Sequence, residues 1–282
     1  MTVAHDIRPL GQLKTNSMSQ SRFSDLEILA RVPAGDSHAT PLLFVHGAFT
    51  AAWCWEEHFL PYFAEAGFAS YAVSLSGHGG SRGRDRLDSL SIADYVDDVA
   101  AVAARLPAPP VLIGHSMGGF VVQKYLERHS AAGAVLMCSV PPQGLMSAMF
   151  GVMFKRPSLF QDINNLMMGS RVALDTLREA LFAQPISTDD LLRFYRWSQP
   201  ESHRAVWDMT LFNLPCPSKI GKMPLLVLGA ELDHLMPAST ARMTARRYNL
   251  EAEIIPGMGH GLMLERDWRL VADRLLQWLK SL

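Results

Sequence analysis

The chain has 282 residues, 49% of them apolar and 19% charged, with a formal net charge of −1. That length can bury a sizeable core, and the composition excludes a disordered or fibrous chain. The near-zero charge excludes a strong global field for nucleic acid or an anionic membrane.

No run reaches about 18 uninterrupted apolar residues, so no membrane-spanning helix and no stable membrane insertion are expected. The three cysteines, Cys54, Cys138 and Cys216, are far apart and odd in number. They fit neither a disulfide framework nor a metal spacing, and read as buried reduced thiols of a cytoplasmic protein. No apolar leader stands in the first 30 residues, so no secretory signal is expected. Arg82, Arg84 and Arg86, interrupted by Asp85, read as a solvated loop.

In chain order, residues 1–20 are polar and aperiodic, and residues 23–32 carry strand-like apolar positions ending at Pro33. The run Leu42–Val45 follows, then a helical pattern over 53–66 in which Pro61 predicts a kink or restart. A short run at 71–73 precedes a helix over 91–106, which opens with a capping-box-like Ser-Ile-Ala-Asp. Runs at 111–113 and 134–137 flank a helix at 120–128. After the insertion described below come a run at 225–228, a helix at 238–248, a weaker run at Ile254-Ile255 and a helix at 266–279. Apolar runs without alternation suit strands buried on both faces, and their alternation with helices predicts an α/β fold on a mostly parallel sheet.

Residues 141–215 break the rhythm. They are bounded by Pro141-Pro142 and Pro215-Cys216-Pro217 and read as a helical cap inserted in a core formed by 1–140 and 216–282. One apolar helix face there either packs on the core or lines an acyl pocket, and Met146, Met149, Phe150 and Met153 are the lining candidates. Phe49 and His115 are lining candidates from the core.

Chemistry-bearing residues collect after the strand runs, where open α/β sheets bind ligands. His46-Gly47-Ala48-Phe49 follows the run at 42–45, and Gly114-His115-Ser116-Met117-Gly118-Gly119 follows that at 111–113. Glu231 and Asp233 follow the run at 225–228, and Gly259-His260 follows Ile254-Ile255. Gly-x-Ser-x-Gly between a strand and a helix fits a turn that exposes a serine nucleophile. A serine needs a base and a group to orient that base. His260 and Asp233 supply them in the chain order this turn requires, with Glu231 as the competing acid. Backbone N–H groups of Met117 and of Ala48, or its neighbour Phe49, are the expected oxyanion donors.

These pieces, with Gly77-His78-Gly79-Gly80-Ser81 and the Gly229…Asp233…Pro237 segment, resemble the α/β-hydrolase superfamily. The likeness is to its serine hydrolases, in the branch of esterases and monoacylglycerol-lipase-like and lysophospholipase-like enzymes. The resemblance implies an eight-stranded sheet flanked by helices, with a cap inserted after the sixth strand. It implies a Ser116-His260-Asp233 triad, no metal, no cofactor, and a structural role for the loop at 77–81. Serine at 116 sets the chain apart from relatives that use an aspartate nucleophile. The expected reaction is hydrolysis of small-molecule carboxylic esters with apolar acyl or aryl groups. The same triad could act on amide, thioester or C–C bonds, or as a cofactor-free perhydrolase. A receptor that kept the fold is the reading outside enzymes.

Overall fold

The computed structural model describes residues 25–146, 161 and 173–282. Seven strands are found among them: β1 (Ile28–Arg31), β2 (Leu42–Val45), β3 (Ser70–Val73), β4 (Val111–His115), β5 (Gly133–Met137), β6 (Leu225–Ala230) and β7 (Glu253–Ile255). They form one sheet in the order β1-β3-β2-β4-β5-β6-β7. Only β1 runs antiparallel, against β3; the other pairings are parallel.

Every residue of β2, β3, β4 and β5 is buried, which explains why their sequences run apolar without alternation. The α/β-hydrolase resemblance implies an eighth strand, and the described residues contain seven. Of the described residues of the stretch 23–32, Ile28–Arg31 pair, at the sheet edge, where the strand is half-exposed. The link from β1 to β2 carries Pro33, Gly35 and Pro41, two of them without an N–H for a ladder, and it forms bends.

Helices cover both faces. The pattern at 53–66 forms two helices, α1 (Trp53–Glu56) and α2 (Phe59–Glu65). The break lies at His58, with φ −140° and ψ −45°, and not at Pro61. Pro61 falls in the first turn of α2, where an N–H has no intrahelical acceptor, so proline is tolerated. Phe44 of β2 packs against Trp55 of α1 and Phe63 of α2 at ring-centroid distances of 5.0 and 5.8 Å. This aromatic cluster fixes the strand that carries the loop at 46–49.

Helix α3 (Ile92–Ala103) opens with the expected capping box. The Ser91 hydroxyl accepts from the Asp94 N–H, and the Asp94 carboxylate accepts from the Ser91 N–H. Helix α4 (Met117–Leu126) starts immediately after Ser116. Between β5 and β6 the described residues include the α-helices α5 (Leu174–Leu181), α6 (Thr188–Trp197) and α7 (His203–Trp207), followed by a π-helical turn, and no strand. Helices α8 (Ala238–Arg247) and α9 (Trp268–Leu279) complete the set. No helix among the described residues is long and apolar enough to cross a membrane. Met149, Phe150 and Met153 lie outside the described residues.

The capping box gives a direct stability test. Ser91→Ala leaves the Asp94 N–H without its acceptor, and should lower the unfolding free energy by about 1 kcal/mol. Urea titration of the variant beside wild type measures it, and an unchanged midpoint would contradict a capping role.

Candidate active site

The site is built on the turn between β4 and α4. Ser116 has φ 52° and ψ −116°, a conformation that side chains rarely adopt. The surrounding bonds impose it. The Ser116 N–H donates to the Met137 carbonyl, and the Ser116 carbonyl accepts from the N–H groups of Gly119, Phe120 and Val140.

Three glycines make the turn sterically possible. A Cβ on Gly114 would lie 2.5 Å from the Gly118 carbonyl oxygen, one on Gly118 would run into the Val45 and His46 carbonyls, and one on Gly119 would meet the Ser139 side chain. The chain therefore packs backbone on backbone here, and the serine is the partly exposed residue between buried neighbours.

The loop after β2 abuts this turn. A Cβ on Gly47 would stand 3.1 Å from the Ser116 Cβ and 2.9 Å from the His115 Nδ1. Thr50 Oγ1 donates to the Gly47 carbonyl at 2.9 Å, and Phe49 has a left-handed φ of 64°. His46 Nδ1 lies 2.8 Å from the Gly47 carbonyl, and its Nε2 accepts from the Leu75 N–H at 3.0 Å. Those bonds fix a neutral ring with its proton on Nδ1. Burial, with nearby His78, pushes its pKa down to about 3. Among the described residues, no acceptor is found for the backbone N–H groups of Ala48, Phe49 or Met117.

Asp233 and His260 meet. His260 Nδ1 is 2.7 Å from Asp233 Oδ2, and both residues are buried. The other carboxylate oxygen, Oδ1, accepts from the N–H groups of Leu235 and Met236 at 2.8 and 2.7 Å. Asp233 is thus held by its own turn and aims one oxygen at the histidine. Glu231, the competing acid, is exposed and accepts from the Gly257 N–H instead.

His115 Nε2 lies 2.9 Å from the His260 carbonyl, and the two rings are 4.7 Å apart. The residue before Ser116 therefore anchors the backbone of His260. Burial, then the neighbouring His260, holds the His115 pKa well below that of a free imidazole. Its ring is 6% exposed and also faces Trp55, so the lining candidate His115 sits mainly against protein. Met146, another lining candidate, is 43% exposed.

Cys138, Asp233 and His260 place a sulfur, an oxygen and a nitrogen within 4.8 Å of one another, the one group among the described residues that could hold a metal ion. Burial, then adjacent Asp233, drives the Cys138 thiol well above its ordinary pKa, so it stays protonated.

Several supporting residues were not legible as functional in the sequence. Glu265 accepts from the N–H groups of Gly259, Ala183 and Gln184, tying the His260 loop to the chain after α5. His78 lies 3.0 Å from the Glu201 carboxylate, which also accepts from the Tyr95 hydroxyl at 2.7 Å. Burial alone would lower the His78 pKa and raise that of Glu201. The attraction between the two outweighs burial, and each is shifted toward its charged form. The loop at 77–81 is thereby clamped to the segment between α6 and α7.

The sequence matches the Alpha/beta hydrolase family over residues 42–274. The chain belongs to that family. It is 26% identical to a monoacylglycerol lipase of Mycolicibacterium smegmatis, over 79% of this chain and 82% of the relative. It is also 26% identical to a non-heme haloperoxidase of Rhodococcus erythropolis, over 86% of this chain and 92% of the relative. Among solved structures, a bromoperoxidase from Bacillus anthracis superposes with a TM-score of 0.69 at 19% identity, covering 90% of this chain and 95% of that one. An esterase from Exiguobacterium antarcticum gives 0.67 at 18% identity, with the same coverage. These two structures share the fold.

The buried His46 yields a pH test. With its pKa pushed down to about 3, its ring resonances should stay those of the Nδ1–H neutral tautomer when the pH is lowered from 8 to about 5. Histidine-selective NMR with His46→Gln for assignment checks this, and a midpoint near that of a free imidazole would contradict the burial.

Proposed function

We propose that the protein is a serine hydrolase that cleaves carboxylic esters of apolar acyl or aryl groups through an acyl-enzyme. The observation that carries this is the 2.7 Å Asp233–His260 hydrogen bond on the loops beside the strained Ser116 turn. Residues 141–215 serve as its cap, with Met146 and Phe49 as candidate lining.

Ser116 Oγ attacks the ester carbonyl while His260 Nε2 takes its proton. Asp233 holds the opposite ring nitrogen, fixing the tautomer and stabilising the imidazolium. The tetrahedral oxyanion accepts from the N–H groups of Met117 and Ala48. Collapse breaks the C–O bond, and the alcohol departs with the proton from His260. Water then attacks the acyl-Ser116 carbonyl, gives its proton to His260, and releases the acid. Ser116 recovers its proton.

Perhydrolysis is the second reading, favoured by the haloperoxidase relative matched over 92% of its length. It uses the same acyl-enzyme, with hydrogen peroxide replacing water. The monoacylglycerol lipase relative supports the ester reading.

Initial rates on p-nitrophenyl esters from acetate to palmitate test the proposal. Ser116→Ala should abolish serine-dependent turnover, and residual activity within about tenfold of wild type would remove Ser116 as nucleophile. Asp233→Asn should lower kcat by about ten-thousand-fold while Glu231→Gln stays near wild type. The reverse pattern would move the acid to Glu231.

A further inference from the structure

Gln199 stands where the segment between α6 and α7 meets the loop at 46–50. It lies beyond the end of α6 and immediately before Pro200, which disfavours helical backbone at Gln199 and leaves its N–H outside the helix ladder. That N–H donates to the Phe49 carbonyl at 3.0 Å. The side-chain Nε2 donates to the Thr50 carbonyl at 3.2 Å. The side-chain Oε1 accepts from Arg84 Nη2 at 2.5 Å and from the Gly79 N–H at 3.2 Å.

One residue thus grips two successive carbonyls of the loop and is itself held by the loop at 77–84. The packing of α6 fixes its position. Phe194 stacks on Trp53 at 5.5 Å, Trp197 meets the same ring edge-on at 5.2 Å, and Arg193 forms a two-pronged pair with Glu57. A peptide whose carbonyl is tethered cannot rotate, and Phe49 is already in a conformation that a side chain rarely holds alone.

Resting on the serine-hydrolase mechanism above, we propose that Gln199 is a positioning residue that holds the loop carrying the Ala48 N–H in its oxyanion-binding geometry. It acts through that loop and does not touch substrate. The segment between β5 and β6 then sets reaction rate as well as access to the site.

Gln199→Ala removes all three side-chain hydrogen bonds and leaves the backbone bond to the Phe49 carbonyl. Gln199→Glu keeps acceptors for Arg84 and Gly79 but turns a carboxylate oxygen toward the Thr50 carbonyl. Both should lower kcat by about 10- to 100-fold with KM within about twofold, as for a displaced catalytic group. Both should slow the second-order labelling of Ser116 by a fluorophosphonate in the same proportion, since that reaction also develops charge on an oxygen. Melting temperatures should stay within about 4 °C of wild type.

Wild-type rates in both variants would overturn the proposal. So would a Glu variant that performs like wild type while the Ala variant loses only stability, because Arg84 anchoring alone would then suffice. A wild type that is labelled but cleaves no ester would defeat the ester assignment and leave the labelling rates to decide Gln199. Absence of labelling in wild type would remove both.

Discussion

The whole site depends on a backbone collision avoided at the end of β4. Ser116 can occupy φ 52° and ψ −116° only because Gly114, Gly118 and Gly119 let α4 start against the carbonyls of Val45 and His46. Such a conformation costs on the order of 1–3 kcal/mol. Four hydrogen bonds at the Ser116 peptide groups, three of them on one carbonyl, hold it in place. The same contacts set the distance from the serine to the loop after β2, so the proposed nucleophile and the proposed oxyanion loop are placed by one packing event.

The remaining groups arrive from other strand ends and are joined by long-range polar bonds. Asp233 comes after β6 and His260 after β7, and His115 ties the His260 carbonyl back to β4. The segment between β5 and β6 reaches three of these loops. Glu265 binds its Ala183 and Gln184 amides beside the histidine loop, Gln199 holds the loop after β2, and Glu201 holds His78. The buried Glu201 is paired with His78, and Glu265 is held by three N–H groups, as a low-dielectric interior requires of buried charge. We propose that this segment is part of the working site as well as its cap.

The fold was largely legible because its strands are buried on both faces and its motifs follow their carboxyl ends. The runs at 42–45, 71–73, 111–113, 134–137 and 225–228 all lie in strands. Local signals were less complete where two effects compete. Proline at 61 suggested a break at that residue, yet the chain breaks at His58 and uses Pro61 inside a first turn. The sharp turn at Ser116 and the meeting of Asp233 with His260 were readable from order and spacing, while their catalytic roles stand as proposed. Gln199, Glu201 and Glu265 were not, since each acts on residues some 80 to 150 positions away or across an intervening strand, and no local pattern marks such a partner. Cys138 read as an inert buried thiol, and only the structure sets it beside Asp233 and His260.

We propose that Ser116 is activated as a nucleophile by His260 and Asp233. Mass-spectrometric mapping of the fluorophosphonate adduct in wild type and in a His260→Ala variant tests it most directly. One adduct is expected in wild type, on the peptide containing Ser116, and none in the variant over the same time. An adduct on another residue, or equal modification of Ser116 without the histidine, would contradict it.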